Sequence, residues 1–209
     1  LLGVGGVCFH PGSASDREEE CIKRISQALT EALDAVDSDV KLYVENTAGG
    51  GRTIGRNPDE VAGILEGIPD RHQKRVGYGL DTCHLFASGY DVSESEAKLT
   101  SILDEFEAAT GRTPSFFHLN DSEGALGSNR DRHKLLGEGE LRSMFPDAAI
   151  RKEKVLLLTK SLVALRGQTA ATCSAVGPSW PAAAVVTMGR LSATALPGPQ
   201  GAGRLFHGC

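Results

Sequence analysis

Hydrophobic positions along residues 1–160 follow two spacings, and the first is a set of short apolar runs. Such runs are typical of β-strands that are buried in a sheet. Strands are predicted at Val4–His10, Val40–Glu45, Val76–Asp81, Ser115–His118 and Val155–Leu158. Each run is short enough for a strand and too short for a buried helix.

Between these runs, apolar residues recur every three or four positions, as in amphipathic helices. Helices are predicted at Asp16–Val36, Pro58–Ile68 and Ser93–Thr110. Asn57 stands where an N-cap belongs, and Gly111 follows the last helix as a C-cap. Strands that alternate with helices indicate a parallel sheet with helical crossovers.

This alternation favours a TIM (β/α)8 barrel over a dinucleotide-binding fold, because no glycine-rich phosphate motif follows the first strand. A whole barrel takes roughly 250 residues, so residues 1–159 supply about five of the eight strands. The sequence therefore predicts an α/β fold, a partial TIM barrel without its N-terminal strands. Leu1 already lies within strand-like sequence, and we expect the natural N-terminus to lie upstream.

Composition changes near residue 160. All 27 acidic residues precede residue 161, and Ala, Gly and Pro make up 21 of the 49 residues that follow. No strand or helix periodicity is visible there. We therefore divide the chain into an incomplete barrel, 1–159, and a tail, 160–209, expected to be disordered or foreign to the family, as after a shifted reading frame or a retained intron.

Charge and cysteine usage bear on partners and location. The net charge of −5 excludes a strongly basic surface, although cations and a local basic patch can still hold DNA. Five scattered cysteines without a CxxC pair favour a reducing compartment over a disulfide framework. No apolar run approaches the ~20 residues that span a bilayer. We expect an intracellular monomer without membrane association, nuclear or mitochondrial in a eukaryote and cytoplasmic in a bacterium.

Four predicted strands end on a side chain that binds metal ions. These are His10, Glu45, Asp81 and His118. The C-terminal ends of barrel strands converge on the active site, and this nitrogen and oxygen set suits zinc or manganese. A lone histidine at a strand end is more often structural, but four such strand ends together favour a metal site.

Three more candidate ligands lie just beyond these strand ends: His84, Asp131 and His133. Seven ligands exceed the three or four protein ligands of one zinc ion. We therefore expect more than one ion, with a carboxylate such as Glu45 bridging them. His72, in a charged stretch, and His207, in the tail, are interpreted as surface residues.

Seven motifs, in order, resemble the endonuclease IV family of apurinic/apyrimidinic endonucleases over about residues 1–145. They are His10–Ser13, Glu45–Gly49, Leu80–His84, Ala87–Asp91, His118–Asp121, Gly127–Ser128 with Asp131–His133, and Gly137–Gly139. The resemblance implies a TIM barrel with up to three zinc ions that binds double-stranded DNA at abasic sites. It further implies cleavage 5′ to the lesion, leaving a 3′-hydroxyl, in base excision repair.

Residue roles follow from the same resemblance. Glu45 bridges two ions and is the expected catalytic residue. Asp81 and His118 bind one ion of that pair, and His10 binds the other. The third ion is held by His84, Asp131 and His133.

The chain departs from the family pattern in three places. The family has a further metal-binding histidine in a segment that precedes the start of this chain. Either Leu158 stands where the family carries a metal-binding glutamate or the matching segment is absent, and Gly50 stands where the family usually carries glutamine. Two of the family's ligands are therefore missing from this sequence.

Basic residues surround two of the ligand motifs. Arg132, between Asp131 and His133, is the best candidate for a DNA phosphate contact. Arg130 and Lys134 flank it, and two more arginines follow Glu45 at positions 52 and 56; an ordinary solvated loop explains each of these equally well.

Two alternatives stay open. Sugar isomerases and epimerases with metal-dependent barrels also place His, Glu and Asp at strand ends. The chain could instead be a truncated, inactive product, because an open barrel leaves strand edges unpaired.

Overall fold

A computed structural model of the chain describes residues 5–14, 18–141, 171–175 and 184–188. The strands are β1 (Gly6–Phe9), β2 (Lys41–Glu45), β3 (Val76–Asp81), β4 (Phe116–Leu119), β5 (Asp121–Ser122), β6 (His133–Lys134), β7 (Ala171–Ala175) and β8 (Ala184–Met188). The helices are α1 (Glu18–Ala35), α2 (Pro58–Glu66), α3 (Thr82–Ala87) and α4 (Glu96–Thr110), with a 3-10 helix at Asp70–Arg75. Among these helices, none has the length and apolarity to cross a membrane.

The sheet is parallel in its first four strands. β1, β2, β3 and β4 lie side by side in chain order, and helices form each crossover. The predicted fold class, an α/β partial TIM barrel, is confirmed. Beyond β4 the sheet continues with β8 and then β7, both antiparallel to their neighbours. These two strands fall in the segment 160–209, where no strand was predicted.

Predicted and observed boundaries differ by a few residues, and the differences have local causes. Helix α4 begins after Ser95 rather than at Ser93, because the Ser95 hydroxyl accepts a hydrogen bond from the Lys98 backbone N–H as an N-cap. The Ser93 hydroxyl instead donates to Asp91 in the preceding turn. The expected strand at Val155–Leu158 lies outside the described residues.

The hydrophobic core lies between the parallel sheet and α2 and α4. Tyr78 and Leu80 from β3 and Phe106 from α4 are fully buried. The Tyr78 and Phe106 rings stack with their centroids 6.2 Å apart. Gly79, on the other face of β3, has no side chain, so the Phe116 ring packs directly on the β3 backbone.

A capping network fixes the loop that joins β2 to α2. Asn57 accepts from the Glu60 backbone N–H, and buried Glu60 accepts from the backbone N–H groups of Gly55 and Arg56. Asn57 thus caps α2, and the Glu60 carboxylate holds the backbone of the two residues that precede this N-cap. This network anchors the loop that follows Glu45 at the carboxyl end of the sheet.

His72 is buried, so the interpretation of this residue as a surface histidine was wrong. Its side chain is 10% exposed, and its Nε2 lies 2.7 Å from Asp34 Oδ1. Arg71 donates to the same carboxylate at 2.7 Å. The 3-10 helix turns His72 inward. The charged residues beside it in the sequence, on which the surface interpretation rested, do not indicate this orientation. His207 lies outside the described residues.

Replacing Asp34 should give a pH-dependent loss of stability. Hydrogen bonds from Arg71, and then from His72, lower the pKa of Asp34 to about 2. The pKa of an aspartate in the unfolded chain is higher, about 3.9. The charged Asp34 carboxylate therefore stabilises the fold fully above about pH 3.9, and this stabilisation is lost as the pH falls towards 2. We expect Asp34→Asn to lower the urea midpoint near neutral pH, with the difference from wild type shrinking at low pH. Exposed Asp39, as Asp39→Asn, is the control, and a difference that persists at low pH would contradict the assignment.

Candidate metal centre

All seven predicted ligands lie together at the carboxyl edge of the parallel sheet. Glu45 and Asp81 are the last residues of β2 and β3, His118 lies within β4, and His10 directly follows β1. Parallel register brings these positions side by side, since Asp81 pairs with His118 and Phe9 pairs with Val44. His84 on α3, Asp131 in the loop before β6, and His133 at the start of β6 complete the cluster.

Glu45 is the centre of one half of this cluster. Its carboxylate is 8% exposed, and its two oxygens face different partners. Oε1 lies 2.6 Å from His118 Nδ1 and 3.8 Å from His84 Nδ1. Oε2 lies 3.5 Å from His10 Nε2. A carboxylate that faces donors on both sides has the geometry of a bridging ligand.

The other half of the cluster is a triangle of three ligand atoms. Asp131 Oδ1 lies 3.2 Å from His84 Nε2 and 3.2 Å from His133 Nε2. The two histidine nitrogens are 3.3 Å apart. His84 Nδ1 is 2.8 Å from the Asn46 carbonyl, which can only accept, so Nδ1 carries the proton and Nε2 is left as the ligand atom.

Asp81 lies between the two halves and is completely buried. Its Oδ1 accepts from the backbone N–H groups of Cys83 and His84, which caps α3. Its Oδ2 accepts from the Asn120 amide and lies 4.0 Å from His118 Nδ1 and 3.9 Å from His133 Nε2. Asp81 therefore holds α3 in place and presents one oxygen to ligands of both halves.

The electrostatics of the cluster keep Glu45 and Asp131 charged and make His84 more basic. Burial opposes the charge on Glu45, but hydrogen bonds from His10 and His118 hold its pKa well below the usual range. Hydrogen bonds from His133 and His84 hold the pKa of Asp131 far below its usual range. Burial opposes protonation of His84, yet the charge of Asp81 and the hydrogen bond to Asp131 raise its pKa to about 9. Divalent cations would replace these protons, as metal binding to histidine and carboxylate ligands generally does.

The donor set fits divalent transition-metal ions. Ligand atoms about 2.0–2.3 Å from a tetrahedral zinc ion lie roughly 3.3–3.8 Å apart. The separations of 3.2, 3.2 and 3.3 Å among Asp131, His84 and His133 are close to that spacing. Imidazole and carboxylate ligands suit zinc, and manganese as well where carboxylates predominate.

Two residues of this region carried no role in the sequence interpretation. Cys8 donates from Sγ to Glu45 Oε2 at 3.1 Å, and burial followed by the charge of Glu45 raises the pKa of its thiol above the usual range. A signal existed, because Cys8 and His10 are two apart on one strand and so share a face. Asp121 belongs to a recognised motif, but its contacts are to backbone atoms that no pattern in the sequence shows.

A cavity of about 480 Å³ opens beside the cluster. It is lined by His10, Gly12, Ser13, Thr47, Ala48, Gly50, Thr53, Asn129, Arg130, Asp131 and Arg132. The loops after β2 and before β6 touch across it: a Cβ added at Gly50 would lie 2.8 Å from the Asn129 carbonyl. Glycine at position 50 therefore fits this close approach of the two loops.

The arginines near the cavity differ in their surroundings. Arg130 and Arg132 line the cavity, and Arg132 is exposed. Arg56 instead pairs with Glu60 at 3.0 Å and with Glu18 at 3.7 Å. Arg132 is thus better placed than Arg56 to meet an anionic ligand in the cavity.

Comparison with known protein families gives one match that covers most of the chain. The family described as Xylose isomerase-like TIM barrel matches residues 1–152. "Probable endonuclease 4" of Campylobacter hominis is 41% identical over 144 residues, which is 68% of this chain and 50% of that protein. "Probable endonuclease 4" of Chlorobium limicola is 43% identical over 143 residues, which is 67% of this chain and 48% of that protein. The resemblance to endonuclease IV is confirmed, and the chain spans about half the length of these relatives.

Solved structures show the same architecture. The crystal structure of endonuclease IV from Thermus thermophilus is 32% identical with a TM-score of 0.55, and the match covers 79% of this chain and 63% of that one. A D-tagatose 3-epimerase-like protein matches with a TM-score of 0.54 at 17% identity, over 79% of this chain and 65% of that one. The second likeness extends to the fold alone.

Proposed function

Because this chain belongs to the xylose isomerase-like TIM-barrel family, we propose that it cuts the DNA backbone at abasic sites, using divalent metal ions held by the seven-residue cluster. The metal would be zinc, up to three ions, with manganese as the alternative. The substrate would be double-stranded DNA with an abasic site, cut 5′ to the lesion to leave a 3′-hydroxyl. The likeness to proteins named endonuclease 4 supports this substrate.

One observation carries the proposal: seven ligand-type side chains from β2, β3, β4, β6, helix α3 and the segments that follow β1 and precede β6 lie together at one edge of the sheet. The group of His84, Asp131 and His133 has the spacing of a zinc site. The group around Glu45 has a buried carboxylate between histidines. A cluster of this size exceeds the needs of a single structural ion.

The central side chains of the cluster would have separate tasks in phosphodiester hydrolysis. Bound divalent cations would supply an acidified water as nucleophile and neutralise charge on the phosphate. Glu45 has one carboxylate oxygen facing His118 and the other facing His10, so it would hold the cations bound on both sides in fixed positions. His84 is held by the Asn46 carbonyl, and Asp81 by the α3 backbone, so both keep their ligand atoms aimed at the cluster.

The cavity gives the substrate a place beside these ligands. An abasic sugar that has left the duplex would lie against the cluster, and extrusion costs least where the base is already lost. Arg130 and Arg132 would add positive charge where the flanking phosphates pass.

The decisive experiment is a nicking assay with the full chain, loaded with zinc, on a duplex that contains one abasic site. We expect a single cut 5′ to the lesion that chelators abolish and that the same duplex with a normal base does not show. Ketose sugars tested in parallel should not be epimerised. Epimerisation without nicking would favour the sugar-enzyme alternative, and neither activity in a zinc-loaded chain would reject the proposal for this chain.

Replacing Arg132 should weaken DNA binding in a salt-dependent way. Each phosphate contact contributes a slope of about 0.9 to the fall of log K with log salt on duplex DNA. We expect Arg132→Ala to reduce the steepness of that slope by about 0.9, the value of one phosphate contact. The measurement is the affinity for the abasic duplex over a range of KCl concentrations. Lys74→Ala is the matched control, since Lys74 is exposed beside the opposite end of β3. An unchanged slope in Arg132→Ala would remove Arg132 from the DNA interface.

A further inference from the structure

The Glu45 half of the cluster contains a sulfur atom. Cys8 Sγ lies 3.1 Å from Glu45 Oε2, and Cys8 is partly buried on β1. Strand β1 pairs with β2 in parallel, which sets Cys8 beside Tyr43, two residues before Glu45. The sheet register therefore directs the thiol towards the carboxylate, and no movement of the backbone is needed to bring them together.

The thiol also lies close to a histidine of the same half. Ligand atoms of Cys8, Glu45 and His118 all lie within 4.8 Å of one another. Ligands of a tetrahedral zinc ion with one sulfur are roughly 3.3–3.8 Å apart, so small side-chain rotations would bring the three atoms onto one ion. Among the other cysteines whose side chains the structure describes, Cys21 belongs to the hydrophobic core. Cys83 Sγ lies within 4.8 Å of ligand atoms of Asp81 and His133, away from Glu45, and donates to the Arg132 carbonyl at 3.7 Å.

We propose that Cys8 is a protein ligand of the ion held by Glu45 and His118. This inference rests on the proposed metal centre, to which it adds one sulfur donor. On binding, the S–H bond breaks, a metal–sulfur bond forms, and the proton leaves to water. A site with thiolate, imidazole and carboxylate ligands selects zinc and cobalt over magnesium and manganese, which prefer oxygen. Cys8 thus makes the Glu45 half selective for zinc or cobalt and disfavours manganese there.

Cobalt substitution tests this directly, because a thiolate bound to Co²⁺ gives a charge-transfer band in the near ultraviolet that imidazole and carboxylate do not. The metal-free full chain is titrated with Co²⁺ alone. We expect the band in the wild type, its loss in Cys8→Ala and Cys8→Ser, and its retention in Cys21→Ala and Cys83→Ala. A band that survives in folded Cys8→Ala, or that is missing from the wild type, overturns the proposal, and circular dichroism establishes that each variant is folded.

Metal selectivity provides a second measurement. By direct titration, Cys8→Ala should bind zinc at least roughly tenfold more weakly, while its manganese affinity changes little, since manganese gains little from sulfur. Equal losses for both metals would indicate a structural role and contradict ligation. Neither readout uses DNA, so a chain that shows the Cys8-dependent band without nicking would reject the proposed function and keep this ligand.

Discussion

Glu45→Gln is expected to remove at least one zinc ion per chain and to lower abasic-site nicking by roughly a thousandfold, the equivalent of several kcal/mol of electrostatic stabilisation. The reason lies in the two sides of the carboxylate. Oε1 faces His118 at 2.6 Å and Oε2 faces His10 at 3.5 Å. An amide replaces one oxygen by an NH2 group, which cannot bind a cation, so Glu45 could no longer serve both sides.

Bound zinc is measured by elemental analysis after dialysis, and nicking by single-turnover kinetics with the abasic duplex. Exposed Glu66 on α2, as Glu66→Gln, is the matched control, and it should keep both properties. A Glu45→Gln variant with its full zinc content would show that Glu45 does not bridge ions. If that variant also nicks slowly, Glu45 acts in catalysis without bridging; if it nicks at the wild-type rate, Glu45 has neither role.

Asp121→Asn is expected to destabilise the chain by about 3 kcal/mol or more, because this buried carboxylate is the acceptor for four backbone N–H groups. Oδ1 accepts from Ser122 and Leu141, and Oδ2 accepts from Gly137 and Gly139. In asparagine one of these atoms becomes an NH2 group, which would face two N–H donors. Both pairs of distances lie between 2.8 and 3.0 Å, so little room exists for rearrangement.

The effect should extend to the metal cluster. Asp121 is in β5, which pairs with β6 so that Ser122 lies opposite His133. Loosening this hairpin should weaken zinc binding at the triangle of His84, Asp131 and His133. The free energy of unfolding is measured in urea, with Asp39→Asn as the exposed control. A loss below about 1 kcal/mol would mean that water replaces the lost acceptor, and unchanged zinc affinity would uncouple the hairpin from the site.

Several elements were predictable because their signals are local. Val76–Asp81 is a strand at the predicted residues, and Pro58 begins α2 behind its Asn57 cap. Helix α3 and the 3-10 helix were not predicted, since each is only six residues long and too short to repeat a helical apolar pattern over several turns. The orientation of His72 follows from that short 3-10 turn, which is why the burial of His72 was not predicted from the sequence.

By itself the sequence determined the strand and helix alternation, the candidate ligand residues at the strand ends and the resemblance to a barrel nuclease family. These three features depend on residue type and on spacings of a few positions, and both can be observed in the sequence itself. Only the tertiary structure decided which ligands face one another. His118 and Glu45 meet across 73 positions, and Cys8 meets Glu45 across 37. Such contacts depend on sheet register and on the angle at which loops leave the strands. Packing of the whole fold sets both, so the sequence indicated the ligands and the fold assembled them into two adjoining groups.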